Sequence, residues 1–393
     1  MGASPAKADS PAGIEWTQQT APATSNQWLA VTYGNGLFAA VAARASSGQV
    51  MTSPDGITWT AVSVTNADDI YFRGITYGNG RFVAVGTSQF RPSQVMTSTD
   101  GVTWNLHIAA DREWSSVAYG AGKFVAVSRK FLPGSSSVMT STDGVTWTST
   151  TAAQDNSWNS IVYAGGQFVA VAENGTDRVM TSPDGLSWTL RTAASASNWV
   201  SVTYGNGTYV ATSWSGTDQV MTSPDGVTWT AQSGLEAAEW SSVTYGDGLF
   251  VAVSWTASGD RVMTSPDGVT WTGRAAASVK QWRAVTYGNG TFVAVASNAG
   301  ADAVMTSSAV VDPVLPMAQW TVIHQALPMP ASDQCSDVAD AEFAWGTGLT
   351  GGWTRGWAPW VVSGNSAAPL GGWACERTLV NTGGNRWLIG GAS

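Results

Sequence analysis

Six aspartates carry the most conspicuous chemistry: Asp55, Asp100, Asp143, Asp184, Asp225 and Asp267 each stand two residues after a Ser, directly before a Gly and four residues before a Trp. Carboxylates in a shared motif can ligate a cation or act as acid and base, but only if they converge on one atom. Six copies spaced regularly along a chain cannot do so. A carboxylate at the corner of a tight turn accepts the turn's own backbone N–H groups, and that structural role is expected for all six. His107 and His324 are the only histidines, so a His-based metal site or a Ser-His-Asp relay has almost no material. No metal, no cofactor and no catalytic residue is expected.

Candidate ligand-binding chemistry lies elsewhere. Trp28, Phe72, Trp114, Trp158, Trp199, Trp240 and Trp282 recur at one position, at the entry to a strand, and predict a ring of aromatics beside a central channel. Aromatic faces stack on the apolar faces of sugars, although packing between sheets selects the same residues. Arg73, Arg112 and Arg283 lie within two residues of that ring. Asp177, Asp218, Asp260 and Asp302 occupy one loop position in successive repeats and complete the candidate set.

The elements that must position these residues follow from an internal repeat. The unit W-x-x-V-T-Y-G-N-G-x-F-V-A-V, a variable loop, then V-M-T-S-P-D-G-V-T-W-T recurs seven times between about residue 28 and residue 308, with tyrosines from Tyr33 to Tyr287 falling 41 to 44 residues apart. That period and composition imply one four-stranded unit per repeat. Asn35-Gly36 suits a two-residue hairpin turn with positive φ, and Ser53-Pro54-Asp55-Gly56 a second tight turn. Segments such as Phe82-Val83-Ala84-Val85 are β-branched and lack helical spacing, so helix should be almost absent. Small sheets bury both faces by packing around an axis. The prediction is an all-β, seven-bladed β-propeller over residues 10–308. Ser10 to Thr17 aligns with Ser53 to Thr60, whereas the seventh repeat stops after Ser308, so the first strand is expected to pair with the last repeat and close the ring.

Lengths vary in two places only: between the second and third strands, and between one repeat and the next. Both loops fall on one face, the expected binding face.

The S-x-D-G-x-T-W turn resembles the Asp-box, or BNR-type, repeat of sialidase-like propellers, with one residue fewer between Asp and Gly, and the Y-G-N-G-x-F-V-A-V half is similar to bacterial secreted and surface propellers. The resemblance implies the propeller fold; members include exo-glycosidases, sugar-binding proteins and assembly factors. A sialidase-like mechanism would need an arginine cluster, a Tyr nucleophile with an adjacent Glu, and a separate acid. Outside the repeated turns only Tyr71 and Tyr209 remain, with no matching Glu, so an enzyme is not expected.

Residues 1–9 read as an N-terminal tail in which Ala6-Lys7-Ala8 resembles the end of a secretion signal lacking its apolar stretch. Residues 309–334 read as a Pro-rich linker, and residues 335–393 as a small Trp- and Gly-rich module similar to C-terminal modules of bacterial surface proteins. This module holds both cysteines, Cys335 and Cys375, expected as a disulfide and hence an oxidising compartment. A net charge of -9 and the lack of any basic cluster argue against nucleic acid, and no apolar run is long enough for a membrane span. The expected function is a non-enzymatic extracellular or cell-surface binding or adhesion propeller, lectin-like, taking glycans or cell-surface polymers. The alternatives are a structural or fibre-forming protein that self-associates through the C-terminal module, and an exo-glycosidase.

Overall fold

The computed structural model describes residues 11–22, 26–43, 49–88, 92–129, 137–232, 238–256, 261–298 and 300–309, and five strands between residues 353 and 391. Residues 10–310 form one compact unit and residues 311–393, with 1–9, another.

The first unit is all-β, without helix among the described residues, and is built from repeated four-stranded antiparallel sheets in the manner of a β-propeller. In the fourth repeat, Trp158–Ala164, Gln167–Ala172, Val179–Ser182 and Thr189–Arg191 pair in chain order. The seventh repeat has three strands of its own, and Thr17–Gln19 lies beside Val304–Ser308 with Thr17 opposite Thr306.

Turn chemistry fixes both hairpins. Asn35 and Gly36 take φ of 51° and 75°, the positive values that a primed two-residue turn requires. At the second turn Ser53 Oγ accepts Gly56 N–H at 2.8 Å, and Asp55 Oδ1 accepts the N–H groups of Ile57 and Thr58 at 2.8 Å. Trp59 Nε1 donates back to Gly56 O at 2.7 Å. The same pattern holds around Asp100, Asp143, Asp184, Asp225 and Asp267, so Oδ1 of each carboxylate is occupied by its own turn.

The second strand of each sheet is buried on both faces, as its unbroken F-V-A-V run requires, and neighbouring sheets share one core. Val83, Val85 and Val95 of the second repeat pack with Trp114, Phe124 and Met139 of the third. Adjacent first strands approach so closely that a Cβ built on Gly78 would lie 2.2 Å from the Tyr119 ring. Gly34, Gly120, Gly205 and Gly246 meet the next repeat's tyrosine likewise, and Gly288 of the seventh meets Tyr33 of the first.

In the second unit Trp353–Trp357, Trp373–Val380 and Arg386–Gly391 form a three-stranded sheet, and Trp360–Ser363 pairs with Ser366–Pro369. Cys375 lies on the middle strand of that sheet, opposite Arg355 and Gly391. Cys335, His324, Asp260, the tail 1–9 and the linker beyond residue 309 lie outside the described residues. No helix among the described residues is long and apolar enough to cross a membrane.

Candidate functional site

Each first strand begins with an irregularity that decides which side chains reach the channel. Trp158 pairs with Ala172 and Ser160 with Val171, so Asn159 is the extra residue of a β-bulge. The same bulge occurs in every repeat and places Leu29, Arg73, Ser115, Asn159, Val200, Ser241 and Arg283 at one level of the wall. All seven line a cavity of about 190 Å³. They sit where the connecting loop enters, at the loop-bearing end of the strands.

The aromatic ring predicted beside this channel is corrected by the structure. Trp28, Phe72, Trp114, Trp158, Trp199, Trp240 and Trp282 are 0–1% exposed and belong to the cores between sheets. The bulge turns the next residue, and not the aromatic, toward the channel. Four of the indoles also clamp the incoming loop, Trp114 Nε1 donating to Ala110 O at 2.9 Å and Trp158, Trp199 and Trp282 repeating this to the carbonyl four residues earlier. No ring face is left for a ligand.

Of the predicted charged residues that are described, Arg73 and Arg283 line the cavity and Arg112, Asp177, Asp218 and Asp302 do not. Arg112 bonds the neighbouring Asp111 carbonyl at 2.7 Å. Asp177 accepts from Thr192 Oγ1 at 3.0 Å, and Asp302 pairs with Lys280 at 2.7 Å. The Asp218 N–H donates to Ser197 Oγ at 3.1 Å. These three aspartates organise loops outside the channel.

The sequence reading passed over Asn159 and the other uncharged bulge residues of the cavity, and also Arg129, Glu173 and Trp214. Arg129, Glu173 and Trp214 occupy one repeat position, within one residue of the end of the second strand, which reads Ala43, Thr87, Arg129, Glu173, Trp214, Trp255 and Ser297. That position is the variable one beside a nearly invariant strand, and this contrast was the available signal.

Together these side chains form two arcs. Along the first, Arg73 Nη2 lies 3.5 Å from Glu113 Oε1, Glu113 sits opposite Arg129 in the strand register, and Arg129 Nη2 reaches both oxygens of Glu173 at 2.8 Å. Asn159 Nδ2 adds a hydrogen bond to Glu173 Oε2 at 3.3 Å. Along the second, Trp214 and Trp255 stack with centroids 6.1 Å apart and planes 19° from parallel, and the Arg283 guanidinium carbon lies 5.4 Å from the Trp255 centroid.

Burial lowers the pKa of Arg73, opposed by Glu113. Arg283 is lowered to about 10, by burial first and then by repulsion from Arg73 and Arg129. Both remain charged at neutral pH. Three arginines against Glu113 and Glu173 leave this mouth net positive in a chain of net charge -9. The arrangement can hold a ligand with an apolar face and acceptor groups. Among the described residues no cluster of His, Cys, Asp and Glu could hold a metal ion.

No family model matches the chain, and no curated protein matches it. Among solved structures it is similar to a chain of the mitotic checkpoint complex, 12% identical over 79% of this chain and 97% of that one, with a TM-score of 0.59. The computationally designed Ika8 protein is 11% identical over 75% of this chain and 100% of that one, with a TM-score of 0.49. The likeness to the checkpoint chain concerns the propeller-like fold alone.

Proposed function

We propose that the chain is a seven-bladed, Asp-box-type propeller, closed by Thr17–Gln19 in the seventh sheet, that acts as a non-enzymatic binding protein, secreted or held at a cell surface, and takes carbohydrate at the loop-bearing mouth of its channel. One observation carries this reading. The repeated residues pack sheets or saturate turns, whereas residues that differ between repeats, Arg73, Arg129, Asn159, Glu173, Trp214 and Arg283, converge on one cavity. Charge and aromatic faces placed on a rigid scaffold, free of the repeat's own constraints, suit a polar ligand with apolar ring faces.

The same geometry weighs against the exo-glycosidase reading. Glu173 is held by Arg129 and Asn159, and Glu113 pairs with Arg73, so neither is placed as a proton donor. The extracellular placement rests on Cys335 and Cys375 and on the scarcity of charge, and self-association through residues 335–393 is the competing structural role.

A broad glycan array probed with the full chain and with Trp214→Ala tests the reading. Binding to a defined glycan class, reduced at least tenfold by Trp214→Ala, is the expected result. Absence of binding to every glycan, combined with concentration-dependent assembly, would put the structural role in its place.

A further inference from the structure

One side of the channel wall is stitched from sheet to sheet by side chains, and the other is not. Ser116, Ser160, Ser201 and Ser242 each offer Oγ to an N–H of the next first strand, those of Ile161, Val202, Val243 and Val285, at 3.1–3.3 Å. Beside them Ser115, Asn159 and Ser241 donate to the next strand's Trp158, Trp199 and Trp282 carbonyls at 2.6–3.1 Å. The accepted N–H groups point away from their own sheets. Ile161 pairs with Ala170 three positions from a two-residue hairpin, a non-hydrogen-bonded site of the ladder.

Val31 and Ile75 occupy the same register, opposite Ala40 and Ala84, so their N–H groups point outward too. The residues that should accept from them are Ala284 and Ala30, which have no hydroxyl. Val31, Ile75, Ala30 and Ala284 all line the cavity, between Arg283 on one side and Arg73 on the other. Arg73 Nε is itself buried with no hydrogen-bond partner. Arg283 lies over Trp255 and makes no ion pair within 4 Å among the described residues, Glu173 acting on it only from a longer distance. This sector therefore gathers donors without acceptors, a condition that costs free energy until an acceptor arrives.

Resting on the binding function proposed above, we propose that the sector is an oxyanion seat, in which a carboxylate or sulfate group of the ligand accepts from the Val31 and Ile75 amides and is charge-paired by Arg283. Arg129 has no part in the seat, being neutralised by Glu173. The stitched side supplies rigidity and the unstitched side supplies donors: the serine is absent from the seventh, first and second repeats, where Ala284, Ala30 and Gly74 stand, and the two outer repeats of this sector carry arginine at the bulge.

Tryptophan fluorescence and thermal melting of the full chain, titrated at constant ionic strength with sodium glucuronate, sodium sulfate or glucose, test the seat. Saturable shifts with glucuronate, sulfate or both are expected, and none with glucose; the two anion arms separate a uronate from a sulfate ester. Arg283→Gln should weaken anion binding about tenfold or more. Ala30→Ser and Ala284→Ser restore the hydroxyl found in the third to sixth repeats, so both should fold, keep or raise the melting temperature, and weaken anion binding about tenfold each by occupying an amide. No anion response, or full affinity in the Ala30→Ser/Ala284→Ser double variant, overturns the seat. Glycan-array binding without any anion response overturns the seat alone, whereas silence in both experiments overturns the binding function as well.

Discussion

Trp158 and Trp214 have the same side chain in different surroundings, Trp158 fully buried between sheets and Trp214 partly exposed at the cavity. Trp158→Ala should therefore cost about 3–5 kcal/mol of stability. Trp214→Ala should cost under about 1.5 kcal/mol and act on ligand affinity, a contrast that denaturant titration of both variants checks. Sequence spacing alone left Trp158 between a channel role and a packing role and gave no place to Trp214, because a residue's face depends on the bulge beside it. The turn aspartates were legible, since Ser, Asp, Gly and Trp at fixed offsets leave one way to satisfy the backbone. Their chemistry predicts an acid response. Asp100 and Asp143 are lowered to about 2, chiefly by N–H donation from Thr103 and Thr146, against about 3.9 in an unfolded chain. A carboxylate depressed in the folded state stabilises above its unfolded value and loses that contribution as pH falls through the folded one. Melting temperature should thus fall between about pH 4 and pH 2, more shallowly in Asp143→Asn. A flat profile over that range would show that the turns do not hold their charge.

Strand by strand, the hairpins and their order could be read from Asn-Gly and Asp-Gly pairs, whereas the bulge carries no turn residue to announce it. Its trace in the sequence is a broken alternation. Trp28 and Val31 are both buried though three residues apart, a spacing that a regular strand would send to opposite faces. Read that way, W-x-x-V marks the residue after each Trp as the one aimed at the channel, and Arg73 and Arg283 become candidates for a geometric reason. Close packing of first strands gives a second test at this scale. Gly78→Ala would set a methyl 2.2 Å from the Tyr119 ring, while Gly80, at φ 74°, has nothing within 4 Å of the built Cβ. Overpacking should cost about 3 kcal/mol for Gly78→Ala, against about 1 kcal/mol of backbone strain for Gly80→Ala. Equal losses measured by urea unfolding would mean that contact between sheets does not depend on these glycines.

For the molecule as a whole, the consequence of repetition is that no sheet is stable by itself; each buries its faces against its two neighbours. A linear stack would leave two terminal sheets half-covered and a bare strand edge at Val304–Ser308. The N-terminal segment covers that edge. Gly13 N–H donates to Ser307 Oγ at 2.8 Å, Gln18 Nε2 to Val304 O at 2.6 Å and Gln19 Nε2 to Thr306 Oγ1 at 2.8 Å, from residues about 290 positions away in sequence. Ala12 and Ala21 are buried in the core that the first and seventh repeats share. If this strand closes the ring, its removal exposes an edge that can pair with another chain and uncouples two sheets that otherwise unfold together. Deleting residues 1–19 should lower the melting temperature by more than about 5 °C, broaden the urea transition and produce concentration-dependent oligomers. The channel should suffer too, because the bulge residues keep their places only while the sheets remain mutually braced. An unchanged, sharp transition with a monomeric profile in size-exclusion chromatography would mean that the sheets hold together without the closing strand.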